Sequence, residues 1–229
     1  MKSDSTSSLT DDQIATALHL CFKNAERLEI DASILEKNGS EERAIALLVL
    51  ALEELAKIVL AFEALSIPPT TKAWEKFWRL WRNHSYKQSV WSHYGKLLEE
   101  SNVRDAEAFS NRYPPGTDID QVKQRGFYVS FIDGNFQSPA EFAKSHGDLL
   151  PWLRGLLGGR LNVFRELHGE IELSRSMVSN FRLLRSDPAT WDEETKASVA
   201  RVQSKLGHDF PTPFSRHNHA LRSSRRGMR

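Results

Sequence analysis

Three groups of side chains in this sequence have types and spacings that could do chemistry. The first is Glu53, Glu54 and Lys57, inside the run Leu-Glu-Glu-Leu-Ala-Lys. On a helix Glu53 and Lys57 are i,i+4 partners and Glu54 and Lys57 are i,i+3 partners, so the triplet is either an internally neutralised patch at a helix edge or the polar wall of a pocket. The second group is Arg79, Arg82, His84 and Lys87. His84 and Lys87 stand three apart and therefore share a helical face, where an imidazole beside an ammonium could act on a phosphate. Arg79 precedes His84 by five positions, about 140° around an ideal helix, so both reach one point only from a helix end, a kink or across a dimer. A hydrogen-bonded structural role for His84 on an aromatic face fits the same spacing. The third group, Lys123, Arg125 and Tyr128, offers two cations and a phenol that could hold a phosphate or stack a base, as in a nucleotide-binding module. Its plain alternative is a surface loop with a buried tyrosine.

No other constellation competes. There is no P-loop, GxGxxG, HExxH or GxSxG pattern, and His217 and His219 are two lone ligands near the C-terminus, too few for a metal site. A single cysteine, Cys21, removes disulfide frameworks and cysteine-rich zinc sites and fits a reducing cytosol, so a cytoplasmic location is expected. The chain has 229 residues, 40% of them hydrophobic, and a formal charge of +1, a composition that collapses around a core instead of staying disordered. The near-zero total hides an asymmetry. Residues 216–229 hold five arginines and no acid, leaving residues 1–215 with 26 basic against 30 acidic side chains. Such an end reads as an arm for nucleic acid or an anionic surface, or as a plain solvated terminus. The polar N-terminus carries no apolar signal-peptide core, and the most apolar stretch, 44–65, holds too many charges to cross a bilayer, so no membrane association is expected.

The elements that must position these groups are helical. Ile14, Leu18, Cys21, Ala25, Leu28, Ala32 and Leu35 alternate by four and three, predicting a helix from Asp11 to Asn38 with Thr10 at its N-cap and Gly39 beyond its end. Ser40 then caps a second helix that is apolar on nearly every side, which predicts an antiparallel hairpin with the second helix in the middle of a bundle. After Pro68 and Pro69 a third helix is predicted from about Thr71 to Leu98, with Trp74, Phe77, Trp78, Trp81, His84, Gln88 and Trp91 on one broad face. A short helix and a turn at Pro114–Gly116 follow. Phe127, Val129 and Phe131 alternate like a strand, but one strand without a partner is unstable, so an extended loop is expected there. Helical periodicity resumes from Ser138 to about Arg185, with Pro151 and Gly158-Gly159 as candidate breaks, and again from Asp187 to Leu206. The expectation is an all-α bundle: a disordered 1–10, one helical domain over 11–206 with additional C-terminal helices, and a basic tail over 207–229.

Four pieces in order, a helix ending in Lys-Asn-Gly, then AIALLVLALEELAK, then RNHSYKQ, then KQRGFYVSFIDGNFQSP, make the chain similar over about residues 12–170 to the AbiV family of bacterial abortive-infection proteins, within the HEPN superfamily. The positions that match are Glu53, Glu54, Lys57, His84, Lys87, Arg125 and Tyr128, while Ser130 stands where the family pattern carries an Asp. The resemblance implies an antiphage effector and, through the Arg-x4-His spacing of Arg79 and His84, RNA cleavage by a homodimer that needs no metal or other cofactor. His84 would serve as general base on a ribose 2′-OH or as general acid on the 5′-oxygen, with Arg79, Arg82 and Lys87 beside the scissile phosphate, leaving a 2′,3′-cyclic phosphate. Glu53, Glu54, Lys57, Lys123, Arg125 and Tyr128 would then line the substrate site, and a phage protein or an antitoxin is an expected partner. The alternative is a non-catalytic defence protein that binds a phage or host protein through its helical surface.

Overall fold

The structure, a computed structural model, describes residues 8–67, 70–87, 89–90, 118–185, 192–193 and 196–197. It is an all-α bundle with one two-stranded ribbon. Helix α1 spans Asp11–Lys37 and opens on a capping box in which Thr10 and Gln13 satisfy each other's backbone N–H groups. Asn38 closes it, Gly39 follows at φ 77°, and α2 (Glu41–Ala64) returns antiparallel along α1. Ser40 occupies the N-cap position of α2, but its side chain makes no capping bond.

Helix α2 is the axis of the bundle. Apolar residues on several of its sides, among them Ile45, Leu48, Leu52, Leu55 and Ile58, are buried, and it packs against α1, α3 (Thr71–Arg82), α4 (Ile119–Phe127), α5 (Pro139–Ser145) and α6 (Leu149–His168). This all-round apolar surface explains why a helix with Glu53 and Glu54 in its middle still sits at the centre.

The third helix is shorter than its periodicity predicts. It ends at Arg82, and Asn83 is extended (φ −85°, ψ 114°) before helix resumes over 84–87. The reason is chemical: the Asn83 side chain accepts the Tyr86 backbone N–H at 2.9 Å, so Asn83 starts a new helical turn as an N-cap. The predicted reach to Leu98, the turn at Pro114–Gly116, most of the 187–206 helix, the basic tail and the first seven residues lie outside the described residues.

A β-hairpin replaces the expected loop. Strands β1 (Ser130–Ile132) and β2 (Asn135–Gln137) pair antiparallel, with Phe131 opposite Phe136. Asp133 and Gly134 join them, both at positive φ (50° and 83°), the geometry of a two-residue hairpin turn for which Asp-Gly is a preferred pair. Of the alternating residues only Phe131 lies in a strand, opposite Phe136 five positions on, while Phe127 ends α4 (Ile119–Phe127).

Beyond the hairpin the breaks fall at 146–148 and 169–170, giving α5, α6 and α7 (Ile171–Arg185). Pro151 does not interrupt α6, because it lies in the first turn, where its missing N–H has no intrahelical partner to lose. Arginines of α6 and α7 dock on the acidic edge of α1: Arg154 meets Glu29 and Glu36, Arg165 meets Glu26, Arg175 meets Asp12 and Arg182 meets Asp11. Pairs this exposed set register more than stability.

Helix α4 is fitted to α2 through Gly126. A Cβ at Gly126 would lie 2.4 Å from the Glu42 carbonyl oxygen and 2.8 Å from the Ala46 Cβ, so only glycine allows this approach. Gly126→Val is expected to push α4 off α2 and to lower stability by about 1–3 kcal/mol, the usual cost of overpacking, read as a lower urea midpoint with unchanged slope.

Candidate functional site

The close contact of α4 with α2 has a polar consequence one turn away. Glu53 projects from the buried centre of α2, only 3% exposed, and would be destabilising if unpaired. Three cationic or titratable groups converge on it. Its Oε2 lies 2.5 Å from His84 Nδ1 and 3.2 Å from Lys87 Nζ, and its Oε1 accepts from Lys123 Nζ at 2.9 Å. Lys123 also reaches Asp120 at 2.8 Å, one turn back on α4. The result is a chain of charge, Asp120–Lys123–Glu53–His84, with Lys87 closing it from the side.

His84 and Lys87 share a face, as their spacing predicts, and that face looks at Glu53. The helix is broken at Asn83, between Arg79 and His84, so the two do not lie on one uninterrupted helix. Arg79 and Arg82 occupy the last turn of α3, both exposed and without an ion pair among the described residues.

The ring of His84 is oriented by its surroundings. Lys123 Nζ lies 3.3 Å from Nδ1 as well, but an ammonium has only protons to offer and Glu53 has only lone pairs, so Nδ1 cannot serve both. The shorter contact to Glu53 decides the tautomer: Nδ1 carries the proton and donates it to the carboxylate. Nε2 is then the lone-pair nitrogen, on a side chain that is 53% exposed. Burial by itself would raise the Glu53 carboxyl, but the bonds from Lys123 and His84 and the charges of Lys123 and Lys87 outweigh it and hold the group below the usual carboxylate range. Burial likewise works to lower the Lys123 ammonium, and Asp120 and Glu53 more than offset it and raise it.

The other predicted residues fall in separate places. Glu54 pairs with Lys57 at 2.5 Å, the internally neutralised patch, and Lys57 also sits 5.8 Å over the Trp81 ring, joining α2 to α3. Lys123, Arg125 and Tyr128 do not form one cluster. Lys123 and Arg125 are two apart on a helix and face opposite ways: Lys123 turns inward to Glu53, while the Arg125 guanidinium lies 5.7 Å over the Phe142 ring. Tyr128 is exposed at the end of α4 instead of buried. Cys21 is buried, and burial together with the Glu54 charge pushes its thiol up to about 12, so it offers no thiolate at neutral pH. Among the described residues no three His, Cys, Asp or Glu side chains are grouped as metal ligands, and no helix is long and apolar enough to cross a membrane.

One buried histidine lies apart from this site. His168 is stacked among Phe62 and Phe164 and bonded through Nδ1 to Ser174 Oγ at 3.0 Å. Burial, with His19 nearby, lowers it from 6.5 to about 4, so the folded protein keeps it neutral where the unfolded chain takes up a proton. Its stabilising effect is complete above about pH 6.5 and lost progressively as pH falls towards about 4, by at most about 1.4 kcal/mol per pH unit. In His168→Phe the acid slope of unfolding free energy is expected to flatten by one proton over that window, as read by urea titrations at a series of pH values.

The comparison with known families bears on the same stretch of chain. A family model, HEPN_AbiV, described as AbiV, matches residues 13–147, more than half of the sequence and the whole segment that supplies Glu53, His84, Lys87 and Lys123. No curated protein and no solved structure matches the chain.

Proposed function

The chain belongs to the AbiV family of HEPN proteins, and from that premise we propose that it is an abortive-infection effector that cleaves RNA, without a metal, as a homodimer and thereby arrests translation or growth. The observation that carries this reading is the Glu53 carboxylate against His84 Nδ1 at 2.5 Å, which leaves Nε2 as an exposed base. In the reaction Nε2 takes the proton of a ribose 2′-OH, whose oxygen attacks the adjacent phosphorus. The bond to the 5′-oxygen breaks, a proton is delivered to that oxygen, and the products are a 2′,3′-cyclic phosphate and a 5′-OH end, with no water consumed. Attack and departure occur on opposite sides of phosphorus, so a second proton donor is needed, and a second His84 across a homodimer supplies it. Arg79 and Arg82, exposed at the end of α3, offset the charge that grows on the non-bridging oxygens.

A second reading has its own observation. Tyr128, Val129, Phe131 and Phe136 on and before the hairpin are all more than three-fifths exposed, with the Phe131 and Phe136 rings 5.0 Å apart, an apolar surface suited to a protein partner. The two readings separate on purified proteins and phage challenge. If RNA cleavage carries protection, His84→Ala loses both while Phe131→Ser/Phe136→Ser keeps cleavage. Protection that survives His84→Ala and fails in the hairpin variant assigns the protein to the interaction role.

A further inference from the structure

The lysines of the site present a chemical puzzle if they are taken as substrate contacts. Their side chains are 5% (Lys87) and 7% (Lys123) exposed, and both ammonium groups are already bound to Glu53. So little of either side chain is open that a phosphate has scant access to them while Glu53 holds both.

Their effect on His84 is better defined. A lone carboxylate bonded to an imidazole favours the protonated ring, and an imidazolium cannot accept the proton of a 2′-OH. Here the carboxylate carries two ammonium partners, at 3.2 Å and 2.9 Å, and one of them, Lys123, also lies 3.3 Å from the imidazole itself. Asp120 at 2.8 Å draws on Lys123 from the far side. Two cations against two anions make the set neutral before His84 is counted. Among the described residues, the protonated Cys21 on α1 lies within electrostatic range of Lys87, Glu54 and Lys57 on α2 pair with each other, and Arg79 and Arg82 stand in the last turn of α3. Because Glu53, Lys87 and Lys123 are buried, solvent does little to screen their balance.

The geometry points to Lys87 and Lys123 as positioning residues for His84: they cancel the charge of Glu53, so that the carboxylate fixes the orientation of the imidazole without keeping it permanently protonated. This rests on the reading of His84 as the proton-transfer group. Two elements distant in sequence, the 84–87 turn and α4, each contribute one lysine to the same carboxylate, and α4 can do so only because Gly126 lets it approach α2.

The test is an NMR titration of the His84 ring in the full-length protein without RNA, alongside the pH profile of RNA cleavage. Lys123→Met and Lys87→Met are each expected to move the His84 midpoint up by about one pH unit relative to the unaltered protein, and the acid limb of cleavage with it. Glu53→Gln is expected to move it down. Asp120→Asn, a change at a side chain 41% exposed, is expected to lower it too, by freeing the charge of Lys123. Unchanged midpoints in both lysine variants overturn the proposal. If the methionine variants do not fold, an unchanged midpoint in Asp120→Asn overturns it instead. Absence of any RNA cleavage with shifted midpoints rejects the nuclease reading and leaves the lysine assignment standing, whereas cleavage with fixed midpoints does the reverse.

Discussion

His84→Ala is expected to lower RNA cleavage by about 10²–10⁴-fold, the usual contribution of a positioned general acid or base, while the protein remains folded. The second half of that expectation comes from the site's own hydrogen bonding. Removing the imidazole takes one donor from Glu53, but Lys87 and Lys123 stay bound to the carboxylate at 3.2 Å and 2.9 Å, so no buried charge is left alone. The His84 side chain is half exposed, so its loss opens no core cavity. The stability change should stay within about 1 kcal/mol. Cleavage of a labelled RNA by purified wild-type and variant protein in parallel, with a thermal melt of each, reads both quantities. Equal cleavage by the variant would remove His84 from the chemistry and return it to the role of a hydrogen-bonded structural residue.

Which parts of this site were legible in the sequence follows from the range over which each interaction acts. Spacing rules operate within a helix, and they succeed there: His84 with Lys87 on one face, and Glu54 with Lys57 as an i,i+3 pair, are both present. The central position of α2 is equally readable, since apolar residues on every side leave no face for water. Glu53 is different. Its partners stand between 31 and 70 positions away, and nothing in its local sequence separates a carboxylate that joins Lys57 from one that leaves it for another helix. The same local rules, applied to α4, would have divided Lys123 from Arg125, because residues two apart on a helix cannot share a face. Lys123, Arg125 and Tyr128 could converge only on an extended segment, and the chain is helical through Phe127. Asn83 and Asp133-Gly134 carried signals that the broad periodicities hid: a short polar side chain able to cap a new turn, and a dipeptide able to take positive φ.

The largest effect on stability is expected at Glu53, a buried residue whose carboxylate holds His84, Lys87 and Lys123 together. Glu53→Ala leaves the ammonium groups of Lys87 and Lys123 buried beside an apolar helix, with Asp120 as the one carboxylate among the described residues that still pairs with either of them. Breaking a buried ion pair by removing one partner costs about 3–5 kcal/mol, a large fraction of the roughly 5–15 kcal/mol that a typical protein has in total. The exposed Arg175–Asp12 pair is the internal control, and its loss should cost no more than about 1 kcal/mol. The mechanism makes a sharper demand than the size of the loss. If the cost of Glu53→Ala is the stranded lysine charge, then Lys123→Met added to Glu53→Ala should restore part of the stability, because the second change removes a cation that no longer has its anion. Two independent packing defects would instead add. The acid limb gives the same answer by another route. The Glu53 carboxyl is held below its ordinary 4.5, so its contribution is complete above that value and disappears as pH falls through the folded one. Glu53→Gln should therefore be less stable than the unaltered protein at neutral pH and should lose less on acidification. Urea unfolding at pH 7 and at pH 4 measures all of these. A loss below about 1 kcal/mol for Glu53→Ala would mean that both lysines reach water once released, and the ion cluster would then be no anchor of the fold.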